Sequence, residues 1–260
     1  MPGRICVEKD GPIGRIVFDH PERRNAITVE MWREIPSAAR ALDQDDGVRV
    51  VILRGSGEEA FVSGADISEF ERSRSPDTSR AYEEDNRRAF EALAAMRKPL
   101  LAAIHGFCVG GGVGLALTAD VRYAAADAVF AIPAARLGLG YPAHGLEALV
   151  RVVGPSVAKE VFFTARRFGA AEALEKRLVN AVRPKPELDA FVGETAAAIA
   201  ENAPLTIRSV KRIVRELARD PGARDAGAIA ESIRACFESE DYREGVRAFL
   251  EKRRPVFRGR

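Results

Sequence analysis

One uncharged stretch in the middle of the chain limits the folds that this sequence can adopt. Residues 99–119 contain no Asp, Glu, Lys or Arg, and this stretch is long enough for a membrane span. Five of these residues are glycines, however, and three of them are consecutive at 110–112. Each glycine costs about 1 kcal/mol of helix propensity, which disfavours one continuous helix. The stretch therefore predicts a buried strand over 100–105, a glycine turn, and a buried helix over 111–118.

The composition predicts a globular protein whose partners are neither nucleic acid nor a membrane. The 260 residues suffice for one large domain with an appended helical region. With 40 basic and 38 acidic side chains the net charge is +2, too weak a field to favour nucleic acid. Cys6, Cys108 and Cys236 are widely spaced and odd in number, which fits neither a disulfide framework nor a zinc site. Without an N-terminal secretory signal, the pattern predicts a cytoplasmic location.

Strand and helix patterns alternate through the first two thirds of the chain. Two strands over 4–8 and 13–18 flank the turn at Asp10-Gly11. Thr28 is the predicted N-cap of a helix that runs to about residue 42. The further predictions, in chain order, are a buried strand over 48–54, a loop over 55–64, a polar mobile segment over 73–79, a charged helix over 80–96, strands over 121–125 and 129–132, and helices beyond 145 interrupted at 178–182. Such an order predicts an α/β core followed by a helical region.

Two junctions from strand to turn to helix combine small residues with the start of a helix. They are FVSGADI at 61–67 and HGFCVGGG at 105–112. Small residues let a ligand approach the backbone because no Cβ stands in between. A helix that begins at Gly111 directs unpaired N–H groups and the positive end of its dipole outward. Two such N–H groups aimed at one point form an oxyanion hole, whereas each cluster taken alone is also explained by close backbone packing.

The order and spacing of six motifs resemble the crotonase (enoyl-CoA hydratase/isomerase) superfamily. These motifs are PERRNA at 21–26, SGADI at 63–67, HGFCVGGG at 105–112, ADVRYA at 119–124, RLGLG at 136–140 and FLEKRR at 249–254. The resemblance implies an α/β fold, a ClpP-like spiral of β-β-α turns with a helical C-terminal region. It divides the chain into a spiral core with an acyl-CoA site over 1–195 and a helical trimerisation and lid region over 196–260.

The same resemblance implies that the ligand is an acyl-CoA thioester, with coenzyme A as part of the substrate and with no separate cofactor or metal. The thioester oxygen would accept hydrogen bonds from the N–H groups of Ala65 and Gly111. Arg24 would lie near the CoA phosphates, and Phe249 and Lys252 would reach the CoA from a neighbouring subunit. The implied assembly is a homotrimer or a homohexamer formed as a dimer of trimers. The other positions implied to contact the substrate are Ala26, Ser63, Asp66 and Ile67.

Both catalytic carboxylates of a working hydratase are missing at the positions that the motifs indicate. In hydratases of the family, two glutamates activate the water and protonate the α-carbon. The corresponding residues here are Gly114 and Ala134, and neither side chain carries a proton. Each such group contributes typically 10²- to 10⁴-fold, so ordinary hydratase activity is not expected. Chlorobenzoyl-CoA dehalogenases share the glycine at 114, but their nucleophilic aspartate corresponds to Pro142, which argues against that reaction.

Tyr141 and His144 are the polar candidates that remain for acid–base chemistry. They lie in GLGYPAHG at 138–145, a loop that faces the acyl group in relatives. Residues 137–171 also resemble methylmalonyl-CoA decarboxylase, whose active-site tyrosine corresponds to Tyr141, although a histidine of that enzyme corresponds to Ala65 here. Each candidate has a structural alternative. Tyr141 would then be a ring packed in the core, and His144 a loop residue instead of a general base.

Three weaker features have simpler explanations than catalysis. The acidic residues at 83–85 lie on the helix that flanks the acyl pocket in relatives, and a solvated face is the favoured interpretation. Cys108 lies in GFCVG, a nucleophile-elbow pattern with cysteine in place of serine; a buried apolar side chain is favoured. Ser63 and His105 suggest a serine hydrolase, but nothing in the sequence places a base beside Ser63.

The sequence thus predicts an enzyme that acts on an acyl-CoA thioester through an enolate. Decarboxylation or isomerisation is favoured over hydration, with Tyr141, His144 or bound water as the acid and base. A non-catalytic acyl-CoA binder that has lost the chemistry is the second hypothesis, and a CoA-thioester hydrolase is the third. The acyl group is not specified, because the depth of the pocket depends on the segment 73–79 and the helix after it.

Overall fold

The computed structural model describes residues 2–69 and 79–260, apart from the side chains of Ile67, Ser79 and His144. Its strands are β1 (Arg4–Asp10), β2 (Ile13–Asp19), β3 (Val50–Gly55), β4 (Ala60–Val62), β5 (Leu100–Ile104), β6 (Phe107–Val109), β7 (Val121–Ala125), β8 (Val129–Ala131), β9 (Phe168–Gly169) and β10 (Ala181–Arg183). Its α-helices are α1 (Val29–Gln44), α2 (Ser79–Ala94), α3 (Gly111–Thr118), α4 (Ala143–Thr164), α5 (Ala170–Glu175), α6 (Leu188–Ala200), α7 (Pro204–Leu217), α8 (Ala226–Glu238) and α9 (Glu240–Leu250).

Successive turns of the chain repeat one pattern, strand-strand-helix. The turns are β3-β4-α2, β5-β6-α3 and β7-β8-α4. The first strand of each turn joins a six-stranded sheet of order β1-β2-β3-β5-β7-β10, and the second joins a four-stranded sheet of order β4-β6-β8-β9. Equivalent strands of neighbouring turns pair in parallel. This arrangement confirms the predicted α/β spiral, and helices α7, α8 and α9 form the predicted helical C-terminal region.

Strand β3 is apolar along its length because both of its faces are covered. Val51 and Leu53 belong to the main core, together with the fully buried ring of Trp32. Val50 and Ile52 belong to a second apolar cluster that includes Leu188 and Val192 of α6. Successive side chains of a strand point to opposite faces, so a strand covered on both sides reads as a continuous apolar run.

A buried lysine connects the end of α1 to the start of β5. Lys98 is 2% exposed, and its Nζ donates to the carbonyl oxygen of Leu42 at 2.7 Å and to that of Asp45. The carboxylate of Asp43 accepts from the backbone amides of Arg97, at 2.8 Å, and Lys98, at 3.1 Å. The last carbonyls of a helix have no partner within the helix, so Lys98 provides it. Burial lowers the pKa of the Lys98 ammonium group.

The elements with a strong local signal are where the sequence predicts them. Strands β1 and β2 pair antiparallel around Asp10-Gly11, and the Oγ1 of Thr28 accepts from the Met31 amide at 3.2 Å. The predicted helix over 111–118 is α3. Strand β4 lies within the predicted loop over 55–64, and β6 lies within the glycine turn. Each has only 3 residues, too few to produce a recognisable alternation.

Two predictions from the sequence are not tested by the structure. The segment 73–79 lies outside the described residues, except that the backbone of α2 begins at residue 79. The division at residues 195 and 196 falls inside α6 and stays a prediction.

Within residues 2–69 and 79–260, no helix combines the length and the apolar character needed to cross a membrane. The uncharged stretch 99–119 forms β5, β6 and α3 instead.

Replacing the buried lysine tests its role at the end of α1. Lys98→Met leaves the Leu42 and Asp45 carbonyl oxygens without their buried donor, so we expect a loss of about 1–3 kcal/mol of folding free energy. For a chain of this size each kcal/mol corresponds to about 2–4 °C in the thermal midpoint, which calorimetry measures. Lys159→Met, at an exposed position of α4, is the matched control and changes stability by less than about 0.5 kcal/mol. An unchanged midpoint for Lys98→Met would contradict the assigned role.

Candidate active site

The register between β4 and β6 brings the two glycine turns together. These strands pair in parallel, with Val62 opposite Cys108. Ala65 follows Val62 by three residues, and Gly111 follows Cys108 by three residues. Because parallel strands end at the same edge of a sheet, both turns leave the four-stranded sheet side by side. Ala65 and Gly111 are both partly exposed at this edge.

The backbone amides of Ala65 and Gly111 take no part in the hydrogen bonds that surround them. The Ile27 amide donates to the Gly64 carbonyl oxygen at 2.8 Å, and the Asp66 amide donates to the Ile27 carbonyl oxygen at 2.9 Å. The intervening Ala65 amide therefore points away from Ile27, as alternation in a parallel bridge requires. Gly111 is the first residue of α3, so its amide has no partner within the helix. In the described part of the chain, neither amide donates a hydrogen bond.

Close approach of α3 to β4 fixes the distance between the two turns. A Cβ placed on Gly112 would lie 2.2 Å from the carbonyl oxygen of Val62, far inside contact distance. Only glycine allows the helix to pack against the strand at this position. The first turn of α3 carries no acidic side chain, so the positive end of its dipole faces the edge uncompensated. The site is therefore suited to an oxygen atom that carries negative charge.

The rings of Phe90 and Trp32 cover one side of α3 next to this edge. A Cβ placed on Gly114 would lie 3.0 Å from the Cζ of Phe90, and one placed on Gly111 would lie 3.2 Å from the Cζ2 of Trp32. The two rings meet edge to face, with centroids 5.3 Å apart. Trp32 is fully buried, and its Nε1 has no hydrogen-bond partner in the described ranges. The ring of Phe90 thus fills the space that a side chain at 114 would enter.

Ala134, the other position where a glutamate is missing, is also closed off. It lies in the short 3-10 helix Pro133–Arg136 and is 6% exposed. Its carbonyl oxygen accepts from the amides of Leu137 and Leu139, each at 3.1 Å. Neither 114 nor 134 therefore presents a group that can carry a proton.

The two predicted acid–base residues flank the start of α4. Tyr141 is partly buried, and its ring meets that of Phe162 edge to face at 4.7 Å. The same ring lies over Gly145, where a Cβ would be 2.8 Å from its Cε1. His144 is the second residue of α4, and its side chain lies outside the described atoms. The packing of Tyr141 agrees with its structural alternative, and its catalytic role stays a prediction.

Arg24 and Ser63 lie next to each other beside the candidate site. The Ser63 amide donates to the Arg24 carbonyl oxygen at 3.1 Å. The guanidinium of Arg24 lies over the ring of Phe107, 4.8 Å from its centroid, and donates to Glu59 at 2.7 Å. The hydroxyl of Ser63 donates to the Arg23 carbonyl oxygen at 3.2 Å. Arg24 is thus an exposed cation whose guanidinium is held at the start of β4 and β6, while its backbone contacts Ser63 beyond the end of β4.

Ala26, Asp66 and Ile67 complete the predicted contacts on this side. Ala26 is buried, and the backbone of Ile67 begins a 3-10 turn whose first side chain lies outside the described atoms. Burial of the Asp66 carboxylate opposes ionisation, but hydrogen bonds from the Ser68 hydroxyl and amide outweigh it and lower the Asp66 pKa. Asp66 is therefore an anion that stabilises its own turn. It is not a poised proton donor.

The C-terminal residues of the predicted CoA contact are exposed. Phe249, near the end of α9, is 83% exposed. Lys252 follows α9 in the left-handed backbone conformation, with φ 55°. Their exposure leaves them available to a neighbouring subunit, and their contact with CoA stays a prediction.

The acidic residues of α2 are engaged in ion pairs or exposed. Asp85 accepts from Arg33 at 2.8 Å. Hydrogen bonds from Arg87 and then Arg88 lower the pKa of Glu84 to about 2. Glu83 is exposed. These contacts agree with the solvated-face interpretation.

The weaker nucleophile candidates are not assembled into a catalytic arrangement. Cys108 is fully buried, and burial raises the pKa of its thiol. The Nε2 of His105 lies 2.9 Å from the Oδ1 of Asp189 in α6, whereas the Ser63 hydroxyl bonds to Arg23. In the described ranges, no group of three or more His, Cys, Asp or Glu side chains is arranged to hold a metal ion.

Phe90 and Trp32 are site residues that sequence reasoning missed. The glycines at 111 and 114 gave a signal, since two glycines three apart mark one open face of a helix. Nothing in the sequence indicates which side chains cover that face, because α1 and α2 reach it only through the tertiary fold.

Comparison with known proteins shows which family the chain belongs to. The family model described as Enoyl-CoA hydratase/isomerase matches residues 8–260. The crotonyl-CoA hydratase of Syntrophomonas wolfei is 35% identical over 253 residues, which cover 97% of each chain. A peroxisomal Delta(3,5)-Delta(2,4)-dienoyl-CoA isomerase of Arabidopsis thaliana is 34% identical over 95% of this chain and 93% of its own.

A solved structure agrees with this family. The crystal structure of an enoyl-CoA hydratase/carnithine racemase from Magnetospirillum magneticum has a TM-score of 0.95 and 36% sequence identity. It covers 98% of this chain and 96% of its own. The fold is thus that of the crotonase class of proteins. The chain belongs to the enoyl-CoA hydratase/isomerase family, as the motifs predicted.

The contact between α3 and β4 can be tested with one methyl group. Gly112→Ala places a Cβ against the Val62 carbonyl oxygen, so the backbone must shift, and we expect a loss of about 1–3 kcal/mol in urea unfolding. Gly193→Ala is the matched control, because Gly193 also lies inside a helix but has no atom within 4 Å of an added Cβ. The better helix propensity of alanine stabilises that variant by up to about 1 kcal/mol. Equal stability of the two variants would contradict the close approach.

Proposed function

We propose that the protein binds an acyl-CoA thioester and stabilises its enolate between the backbone amides of Ala65 and Gly111. One observation carries this proposal. In the described residues neither amide donates a hydrogen bond, and each amide lies three residues beyond a paired position of two adjacent parallel strands. The names of the similar hydratase and isomerase support an acyl-CoA ligand. Arg24 is the candidate partner of the CoA phosphates, and its exposed guanidinium lies over Phe107 at the start of β6.

Two amides aimed at one oxygen are effective because an enolate places its negative charge on the former carbonyl oxygen. Donors that are fixed before the reaction need no reorganisation as this charge develops. The dipole of α3 adds a positive potential at Gly111. The site therefore favours the enolate over the neutral thioester, which is the requirement for catalysis.

Decarboxylation or isomerisation fits the surrounding residues better than hydration. Gly114 and Ala134 supply no proton-transfer group, and the ring of Phe90 lies against Gly114. An enolate forms either when the thioester loses CO₂ from its α-carbon or when a base removes an α-proton. Tyr141 and His144 are the groups that we assign to the proton steps. Similar proteins are named hydratases, so hydration of crotonyl-CoA is the reaction to test against this proposal.

Two other functions remain as alternatives from the sequence. A non-catalytic acyl-CoA binder would keep the ligand and lack turnover. A CoA-thioester hydrolase would use the same amides to stabilise attack by water and would release free CoA. The packing of Tyr141 against Phe162 and Gly145 is the observation that favours the binder.

Exchange of the α-proton in D₂O tests enolate formation without knowledge of the acyl group. Gly111→Pro removes one N–H at the first helical position, where proline is tolerated. We expect deuterium incorporation to fall about 10²- to 10³-fold, as measured by mass spectrometry of a panel of acyl-CoA esters. Gly111→Ala adds a Cβ but keeps the N–H, so it reports the effect of the Cβ alone. Equal rates for these two variants would contradict a role for the amide.

The same panel separates the alternatives. Binding without exchange or any product indicates the binder, and release of free CoA indicates the hydrolase. Rapid hydration of crotonyl-CoA would overturn the preference for decarboxylation or isomerisation. Where exchange occurs, Tyr141→Phe is expected to slow it by about 10²-fold or more if Tyr141 transfers the proton.

We also propose a homotrimer, alone or as a dimer of trimers, in which the C-terminal helices contact neighbouring subunits. Large apolar side chains are exposed there, with Val214 of α7 at 60% and Leu250 of α9 at 75%. On α7 the exposed side chains of Val210, Val214 and Leu217 recur at helical spacing and so share one face, and an exposed apolar face is typical of a protein interface. A cytoplasmic location stays the prediction of the cysteine pattern, and all three cysteines are unpaired.

Light scattering coupled to size exclusion tests this assembly. We expect a mass of three or six times the 28.3 kDa chain. Val214→Glu places a charge in the proposed interface and shifts the mass towards the single chain. Val7→Glu is the matched control, since Val7 is also exposed but lies on β1, outside the predicted trimerisation region. A wild-type protein that elutes as a single chain would refute the assembly.

A further inference from the structure

Two glycines of α3 present a strip of backbone without side chains, and an aromatic ring lies against each of them. Gly111 and Gly114 are three residues apart, so they lie on the same face of the helix. Both are partly exposed although both are backed by rings, Trp32 behind Gly111 and Phe90 behind Gly114. The strip therefore starts at the proposed thioester site and is limited one helical turn later.

The ring of Phe90 is directed at the strip end-on. Its Cζ lies 3.0 Å and its Cε1 3.1 Å from the position of a Cβ on Gly114, whereas its Cε2 lies 3.9 Å away. The far end of the side chain therefore touches the glycine. Trp32 supports the ring from α1 through an edge-to-face contact at 5.3 Å. Because Trp32 is fully buried, the Phe90 ring has a rigid wall behind it.

We propose that Phe90 sets the length of the acyl group that the site accepts. This inference rests on the proposed function, since it takes the thioester oxygen to lie at Ala65 and Gly111. An acyl chain that follows the strip from Gly111 meets the Phe90 ring beside Gly114. The wild-type site then admits short acyl groups and excludes longer ones, and Phe90 is a residue of specificity.

The size of the effect follows from burial of methylene groups. Each methylene moved from water into an apolar pocket tightens binding about fourfold. In the wild-type protein this gain stops where the chain reaches the ring. Phe90→Ala removes the ring and extends the gain by two or more methylenes. The ratio of octanoyl-CoA to acetyl-CoA affinity should therefore rise at least about tenfold in the variant.

The chain supplies its own reporter for this measurement. Trp32 is the only tryptophan in the sequence, and it lies beside both Phe90 and Gly111. Titration with acetyl-, butyryl-, hexanoyl- and octanoyl-CoA, followed by tryptophan fluorescence and by calorimetry, gives the affinity ratios. Calorimetry is included because it detects binding even where the fluorescence is unchanged.

A matched control separates loss of an aromatic ring from loss of this particular ring. Phe191 is also partly buried and meets Tyr123 edge to face at 5.0 Å, but it belongs to the cluster on the other face of the six-stranded sheet. Phe191→Ala should leave the affinity ratio as in the wild type. If Phe90→Ala does not fold, Phe90→Leu keeps an apolar side chain and should raise the ratio by a smaller factor.

The outcomes distinguish this proposal from the proposed function. If calorimetry finds that the wild-type protein binds none of the four esters, the proposed function fails and the role of Phe90 with it. If the wild type binds acetyl-CoA but the octanoyl-to-acetyl ratio is the same in Phe90→Ala, the role of Phe90 is overturned and the proposed function stands. A ratio that rises equally in Phe191→Ala also overturns it.

Discussion

The parallel pairing of β4 with β6 is the constraint on which the rest of the candidate site depends. Its register sets Val62 opposite Cys108 and thereby brings the amides of Ala65 and Gly111 to one edge. Helix α3 also approaches β4 so closely that only glycine fits at 112. The helix then begins where its positive end faces the same edge. Strand pairing, helix packing and the helix dipole thus all act at this edge, and none of them depends on a polar side chain.

The sequence predicted the parts of the fold that have a local physical cause. The Asp10-Gly11 hairpin and the Thr28 cap depend on neighbouring residues, and α3 begins at the glycine run. Strands β4 and β6 were missed, since three residues that pair only with distant strands leave no period in the sequence. The spiral order of the strands came from resemblance, because pairing across the chain is a tertiary property.

The candidate site divides in the same way. The sequence pointed to the amides of Ala65 and Gly111 through the small residues before a helix and the resemblance to one family, and their binding of a thioester oxygen stays a prediction. The aromatic wall of the site was not predictable, because Phe90 and Trp32 come from two helices that meet only in the folded chain. The contrast matters for function. At 114 the family's hydratases are expected to carry a carboxylate, whereas here a hydrocarbon ring occupies that space, and water and ions are poorly stabilised beside it.

Because the two amides belong to successive turns of a spiral, their separation is set by the rise from one turn to the next. That rise is held by main-chain ladders running through both sheets. Exchange of the side chains around the candidate site does not alter it. A scaffold of this kind keeps its pair of backbone N–H donors while the reactive side chains around them are replaced. The glycine at 114 and the alanine at 134 are thus compatible with an intact pair of backbone donors. A different reaction then requires only different side chains beside that pair.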